Sequence, residues 1–266
     1  MNPFFWPTAA VSVTLFWLAF RLNRATRSPG HTVSLWASAL VLAVPGILFA
    51  SYYTGWWGEP LWFYRFRTVP GSEISAGGMG LLAGVIQSSR ESWPRFRRFT
   101  SRLGMPTLLA VLVFAPYLKP LARPLQLPES SRGWVNNVCI QSTASTCGPA
   151  SAATLARAAG KNIEEYDLAR ESFTSGKGTE NWYLARTLKR HGLQVAFLKT
   201  APDAAELPYP AIAGVRLVQG SGHFIPIIGK EGDSYIIGDP MVGPEVKSLA
   251  ELREEYQFTG FFLIVK

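Results

Sequence analysis

Residues 141–160, QSTASTCGPASAATLARAAG, decide how the second half of this chain is read. Cys147 is followed by Gly148 and Pro149, then by a run of Ala, Leu and Arg, all good helix formers, that stops at Gly160. Thr146 can cap a helix, and Pro149 suits its first turn because the N–H that proline lacks has no intrahelical acceptor there. Gly160 suits a left-handed stop. The pattern predicts a helix over 148–159 with Cys147 at or just before its N-terminus. Unpaired N–H groups and the helix dipole at that end favour a thiolate, the form of cysteine that attacks a carbonyl carbon. A lone cysteine at a tight turn is more often a small buried residue, so the weight falls on its companions.

Composition bounds the rest. Of 266 residues 48% are hydrophobic, nine are Trp and only 17% are charged, which is too apolar for one ordinary soluble domain and predicts a chain partly in a membrane. The net charge of +8 is uneven: residues 1–132 hold thirteen Lys/Arg against four Asp/Glu, and residues 133–266 hold thirteen against fourteen. The basic excess belongs to the apolar half, which removes support for a nucleic-acid partner. The second half is long enough for one compact domain. Two cysteines cannot build a disulfide framework, and three widely spread histidines give no metal cluster, so neither metal nor other cofactor is expected.

The first half, 1–119, is expected to lie in the lipid bilayer, with spans near 3–20, 33–53, 74–89 and 105–118. The run 3–20 ends in Arg21, Arg24 and Arg27, whereas a cleaved signal peptide carries its charges in front, so a retained span is expected. The run 33–53 matches the ~20 residues a bilayer needs and ends in Tyr52, Tyr53, Trp56 and Trp57, suited to the interface. The run 74–89 is short and glycine-rich, fitting either a closely packed span or a re-entrant segment. Short arginine-rich connections stay in the cytoplasm: 21–31 carries three Arg and 90–103 five, while 54–73 sets Arg65 and Arg67 against Glu59 and Glu73. Four spans with the N-terminus outside satisfy all three, and place the second half on the extracytoplasmic side of the membrane. No charged residue lies mid-span, so no transport path is indicated.

Residues 120–132, PLARPLQLPESSR, read as a linker, and a domain at 133–266 follows. Helical patterns at 148–159, 162–172 and 179–191 give way to short β-branched or aromatic runs: LQVAFLK, AIAGVRLV, HFIPIIG, SYIIGDP and GFFLIVK. Helices first and an antiparallel sheet afterwards predict an α+β fold. GKEGDS at 229–234 is a hairpin loop between two of the strands.

A thiol nucleophile needs a base, a group that orients the base, and donors for the developing oxyanion. His223, in GSGHFIPIIG, stands at a strand start just after small residues; His191 ends a helix beside Lys189 and Arg190 and suits the helix dipole. Asp239, in YIIGDP on the next strand, lies sixteen residues after His223, a spacing that lets antiparallel neighbours meet. A carboxylate there would hold the imidazole by its second nitrogen. Gln141, six residues before Cys147, offers a side-chain amide to the oxyanion beside the Cys147 N–H. Cys139 fits a buried position on the lead-in strand, or a disulfide with Cys147 in an oxidising compartment.

The order Gln, Cys, His, Asp, with QSTASTCGPASAATL, GHFIPIIG and YIIGDP as its local contexts, resembles the bacteriocin-processing, double-glycine-leader cysteine peptidases of family 39 over about residues 134–266. The resemblance implies a papain-like peptidase domain acting on a peptide or protein substrate. Cys147 would be its nucleophile, His223 the general base and acid, Asp239 the orienter and Gln141 the oxyanion donor. It also implies a separate exporter or membrane partner, and a bacterial source, so that the membrane would be the inner one. Thr146 departs from the family, where an acidic residue is common before the cysteine, and no GxxxxGK[ST] motif occurs in the 266 residues. Two other readings use the same residues: an amidase or transpeptidase on cell-wall peptides, and a catalytically silent domain that binds or senses peptides.

Overall fold

The computed structural model describes residues 2–25, 29–55, 60–89, 110, 113–114, 117–126, 128, 133–217 and 220–266. They fall into two compact units, Met1–Glu59 with Pro70–Leu121, and Pro60–Val69 with Ala122–Lys266.

The first unit contains helices α1 (Phe5–Ala25) and α2 (Pro29–Tyr53), a 3-10 segment Ser72–Gly78, and α4 (Met79–Ser88). Among the described residues, α1 and the Gly30–Tyr53 part of α2 are long and apolar enough to cross a membrane. The stretch 74–89 folds as the end of the 3-10 segment followed by α4, whose ten residues cover only about 15 Å at 1.5 Å each. Its glycines permit close approach: a Cβ at Gly80 or Gly84 would collide with the α1 carbonyls of Ser12 and Phe16, and one at Gly78 with that of Leu42 on α2. Most of the expected fourth run, 105–118, lies outside the described residues.

The second unit holds a six-stranded antiparallel sheet in the order β3-β8-β4-β5-β6-β7. Its strands are β3 (Val195–Lys199), β4 (Ala211–Arg216), β5 (Gly222–Glu231), β6 (Ser234–Asp239), β7 (Gly243–Ser248) and β8 (Gln257–Val265). A small hairpin, β1 (Trp134–Val135) with β2 (Val138–Cys139), precedes it. Asn136 and Asn137 turn that hairpin with positive φ at both, as a tight two-residue connection requires. Helices α5 (Cys147–Ala158), α6 (Glu165–Glu171) and α7 (Asn181–Arg190) come before the sheet, and α8 (Leu249–Glu255) interrupts it before β8. Ala213, Val215, Ile225, Ile227, Ile237, Leu252 and Phe262 form the core on the sheet.

Three features depart from the sequence reading. The strand β7 and helix α8 lie in a stretch, 241–255, for which no element is expected; a capping box between Ser248 and Glu251 opens α8. The hairpin at 229–234 is tighter than its loop suggests, with β5 running on to Glu231 and only Gly232 and Asp233 turning. Within the connection 54–73, α3 (Leu61–Thr68) is an integral part of this second unit. Phe63 and Tyr64 meet Trp182 of α7, and Tyr64 also meets Phe197 and Phe261 of β3 and β8. The Arg186 guanidinium of α7 donates to the carbonyls of Arg67 at 2.6 Å and Val69 at 3.0 Å, satisfying backbone oxygens that end α3.

Candidate active site

Cys147 opens α5, is 9% exposed, and carries a free thiol. The first intrahelical bond of α5 runs from Ala150 N–H to the Thr146 carbonyl, so the Cys147 and Gly148 N–H groups have no acceptor within the helix. Thr146 does not cap α5 with its side chain. Its hydroxyl instead accepts from the Thr143 N–H at 3.0 Å and donates to the Thr143 carbonyl, closing a turn just before the cysteine. This corrects the capping role expected for Thr146; the helix starts there because the turn directs the chain into it.

His223 and Asp239 are brought together by strand register. Ile227 pairs with Ile237, and carrying that register two residues further sets Asp239 diagonally across from His223 on one face. His223 Nε2 lies 3.0 Å from Asp239 Oδ1, and both side chains are 4% exposed. Cys147 is near enough to His223 to favour the charged ring, and with Nε2 on the carboxylate, Nδ1 is the ring nitrogen left for the thiol. Burial works against a charged imidazole here. The hydrogen bond to Asp239 and the nearby Cys147 sulfur outweigh it and push His223 up to about 9, against an ordinary value of 6.5. Asp239 is held below the usual carboxylate range: burial opposes its charge, but three donors prevail, namely His223, the Tyr256 hydroxyl on Oδ2 at 2.7 Å and the Met241 N–H on Oδ1 at 2.7 Å.

Gln141 is buried, and its N–H donates to the carbonyl of Pro240, directly after Asp239. The next residue, Ser142, donates both its N–H and its hydroxyl to the buried carboxylate of Glu165 on α6. The Gln141 segment is thereby pinned to the sheet end that carries Asp239 on one side and to α6 on the other. The side-chain Oε1 of Gln141 is buried with no hydrogen-bond partner among the described residues.

Cys139 is buried on β2 and free, with its N–H donated to the Thr154 hydroxyl of α5. Burial, reinforced by Glu165 and Glu164, pushes its thiol up to about 12. His191 pairs with Glu171 at 3.1 Å, in the company of Arg190. Among the described residues no group of three or more His, Cys, Asp and Glu is placed to hold a metal ion.

Three residues of this arrangement escape sequence reasoning. Ser151, one turn after Cys147, donates to the Phe224 carbonyl at 3.0 Å and so clamps α5 to the residue after His223. Its spacing of four from Cys147 is a visible helical signal. Glu165 and Tyr256 offer none, because each acts on a partner brought near only by folding.

Residues 136–266 match the Peptidase C39 family. No curated protein matches the chain. Among solved structures it is similar to the peptidase domain of Streptococcus ComA, a bifunctional ABC transporter involved in quorum sensing, at 27% identity over 47% of this chain and 94% of that one, with a TM-score of 0.41. It is similar also to a double glycine motif protease from an AMS/PCAT transporter in complex with its leader peptide, at 22% identity over 53% and 96%, with a TM-score of 0.42. The peptidase domain of Streptococcus mutans ComA follows at 24% over 49% and 98%, with a TM-score of 0.38. With its helices first and its antiparallel sheet after them, the segment 136–266 of this chain is a papain-like domain of the Peptidase C39 family.

Proposed function

We propose that the second unit is a membrane-anchored cysteine peptidase that hydrolyses peptide bonds through Cys147, His223 and Asp239. The observation that carries the reading is the buried, hydrogen-bonded His223–Asp239 pair close to a thiol that opens a helix. Cys147 Sγ attacks the scissile carbonyl carbon. The oxyanion is met by the Cys147 N–H and the Gln141 amide. The C–N bond then breaks as His223 delivers its proton to the departing amine. Water attacks the resulting thioester and gives a proton to His223; the C–S bond breaks, the acid leaves, and Cys147 Sγ is restored beside a protonated His223. A histidine that holds its proton up to about pH 9 is ready to act as that acid at neutral pH. The family's solved members make a double-glycine-type peptide the first substrate to offer, with a separate exporter as the natural partner.

Anchoring rests on α1 and α2, whose outer surfaces expose Trp17, Val33, Leu40 and Val41. An extracytoplasmic domain is supported by the arginine-rich connections 21–31 and 90–103. It is supported too by α3, which lies in the arginine-poor connection 54–73 and folds as part of the domain, so that connection and domain share a side.

The test is iodoacetamide labelling of the detergent-solubilised full chain, with Cys139 and Cys147 separated by mass spectrometry, alongside cleavage of a double-glycine peptide. Cys147 is expected to label first. His223→Ala should slow that labelling by about tenfold or more, since the thiolate loses its partner, and Cys147→Ala should abolish cleavage. A Cys147 whose labelling ignores His223 sinks the reading in favour of a binding domain. Labelling that depends on His223 without peptide hydrolysis would favour acyl transfer to another acceptor.

A further inference from the structure

Asp239 makes more contacts than a partner for His223 requires. Its Oδ1 accepts from His223 and from the Met241 N–H, and its Oδ2 accepts from the hydroxyl of Tyr256, which is 2% exposed. Tyr256 stands at the junction of α8 and β8 and reaches Asp239 on β6 across the sheet. The groups facing this network are few: Cys147 from α5 and His223 from β5, with Glu255 beside Tyr256 and Glu245 from β7. Both of those glutamates also pair with Lys247.

We propose that Tyr256 is a positioning residue of this site: by donating to Oδ2 it fixes the Asp239 carboxylate in the rotamer that presents Oδ1 to His223 Nε2. A carboxylate with one free oxygen can turn about its χ2 torsion, which is broad and roughly two-fold. With Oδ2 tied to a buried phenol and Oδ1 tied to a backbone N–H, a half turn only exchanges two equivalent oxygens, and any intermediate orientation leaves a buried oxygen unpaired. The proposal rests on the Cys147–His223 reading of the site and adds a member that touches neither substrate nor thiol.

The experiment uses the full chain labelled at histidine, whose three residues give separable ring signals. The low-pH inflection of the His223 ring reports protonation of Asp239, and its loss in Asp239→Asn assigns it. Tyr256→Phe keeps the ring and removes one donor to the carboxylate. The inflection should then rise by about one pH unit, a tenfold change in proton affinity, and Cys147 alkylation at pH 7 should slow by about three- to tenfold. If the phenylalanine variant does not fold, 3,5-difluorotyrosine at position 256 keeps the shape and strengthens the donor, and the inflection should fall instead. An inflection that stays put in the variant that folds overturns the proposal, since a merely packing role for Tyr256 would leave it there. The Cys147–His223 reading fails separately, through a His223→Ala chain whose Cys147 labels at the wild-type rate.

Discussion

Two histidine–carboxylate pairs occupy this domain at almost the same distance, and they differ in everything else. His191 and Glu171 lie 3.1 Å apart with side chains 31% and 35% exposed, while His223 and Asp239 lie 3.0 Å apart at 4% each. The first joins the ends of two helices where water competes for both partners, and such pairs contribute about 0–1 kcal/mol. The second is sealed between strands, with every exposed alternative removed and the carboxylate saturated by Tyr256 and Met241. Distance is therefore no guide to consequence. What separates the two pairs is desolvation, and the further donors that desolvation demands.

The comparison breaks most sharply at Asp239. Asp239→Ala leaves the His223 ring, the Tyr256 hydroxyl and the Met241 N–H without their shared acceptor, and chemical denaturation should show a loss of about 3–5 kcal/mol. The pH dependence sharpens it next. His223 is raised from 6.5 to about 9, so its contribution is complete below about pH 6.5 and lost as pH rises through about 9. Asp239 is lowered, so its contribution is present above the ordinary carboxylate value and lost as pH falls through its depressed one. The melting temperature of the wild-type chain should consequently fall between pH 7 and 10 by about a few degrees more than that of His223→Gln. Equal slopes would refute the coupling.

A smaller effect belongs to Ser151→Ala, which removes one buried hydrogen bond to the Phe224 carbonyl. It should lower stability by about 1 kcal/mol and raise the solvent exchange of β5 amides near His223, read by hydrogen exchange. The smallest is expected of His191→Ala. Its loss of the exposed pair with Glu171 should change stability by at most about 0.5 kcal/mol and leave Cys147 labelling unaltered.

The first unit is built on a different logic from the second. α4 at Gly80 and Gly84, and the 3-10 segment before it at Gly78, are held against α1 and α2 by the absence of side chains, where backbone meets backbone. The domain is held by side-chain networks that cross long stretches of sequence: Ser142 to Glu165, Ser151 to Phe224, Asp239 to Tyr256. In the first unit small residues show directly where close packing is possible. In the second, the residue that completes a network carries no mark of its own.

That difference divides the features legible residue by residue from those that are not. The start of α5 at Cys147, the His223 and Asp239 strands, the apolar runs of α1 and α2 and the helices-then-sheet order all rest on local propensity, period and spacing, which act within a few residues. The Ser248–Glu251 capping box that opens α8 is an equally local signal. Only folding brings α3 to the domain through Tyr64, Trp182 and Arg186, although residues 70–121 separate it from the rest. Tertiary structure alone decided that Thr146 closes a turn rather than caps a helix, and that Tyr256 holds Asp239. Those choices depend on which buried oxygen needs which donor. That need arises only once water has been excluded, and so it is written in the packing rather than in any neighbouring residue.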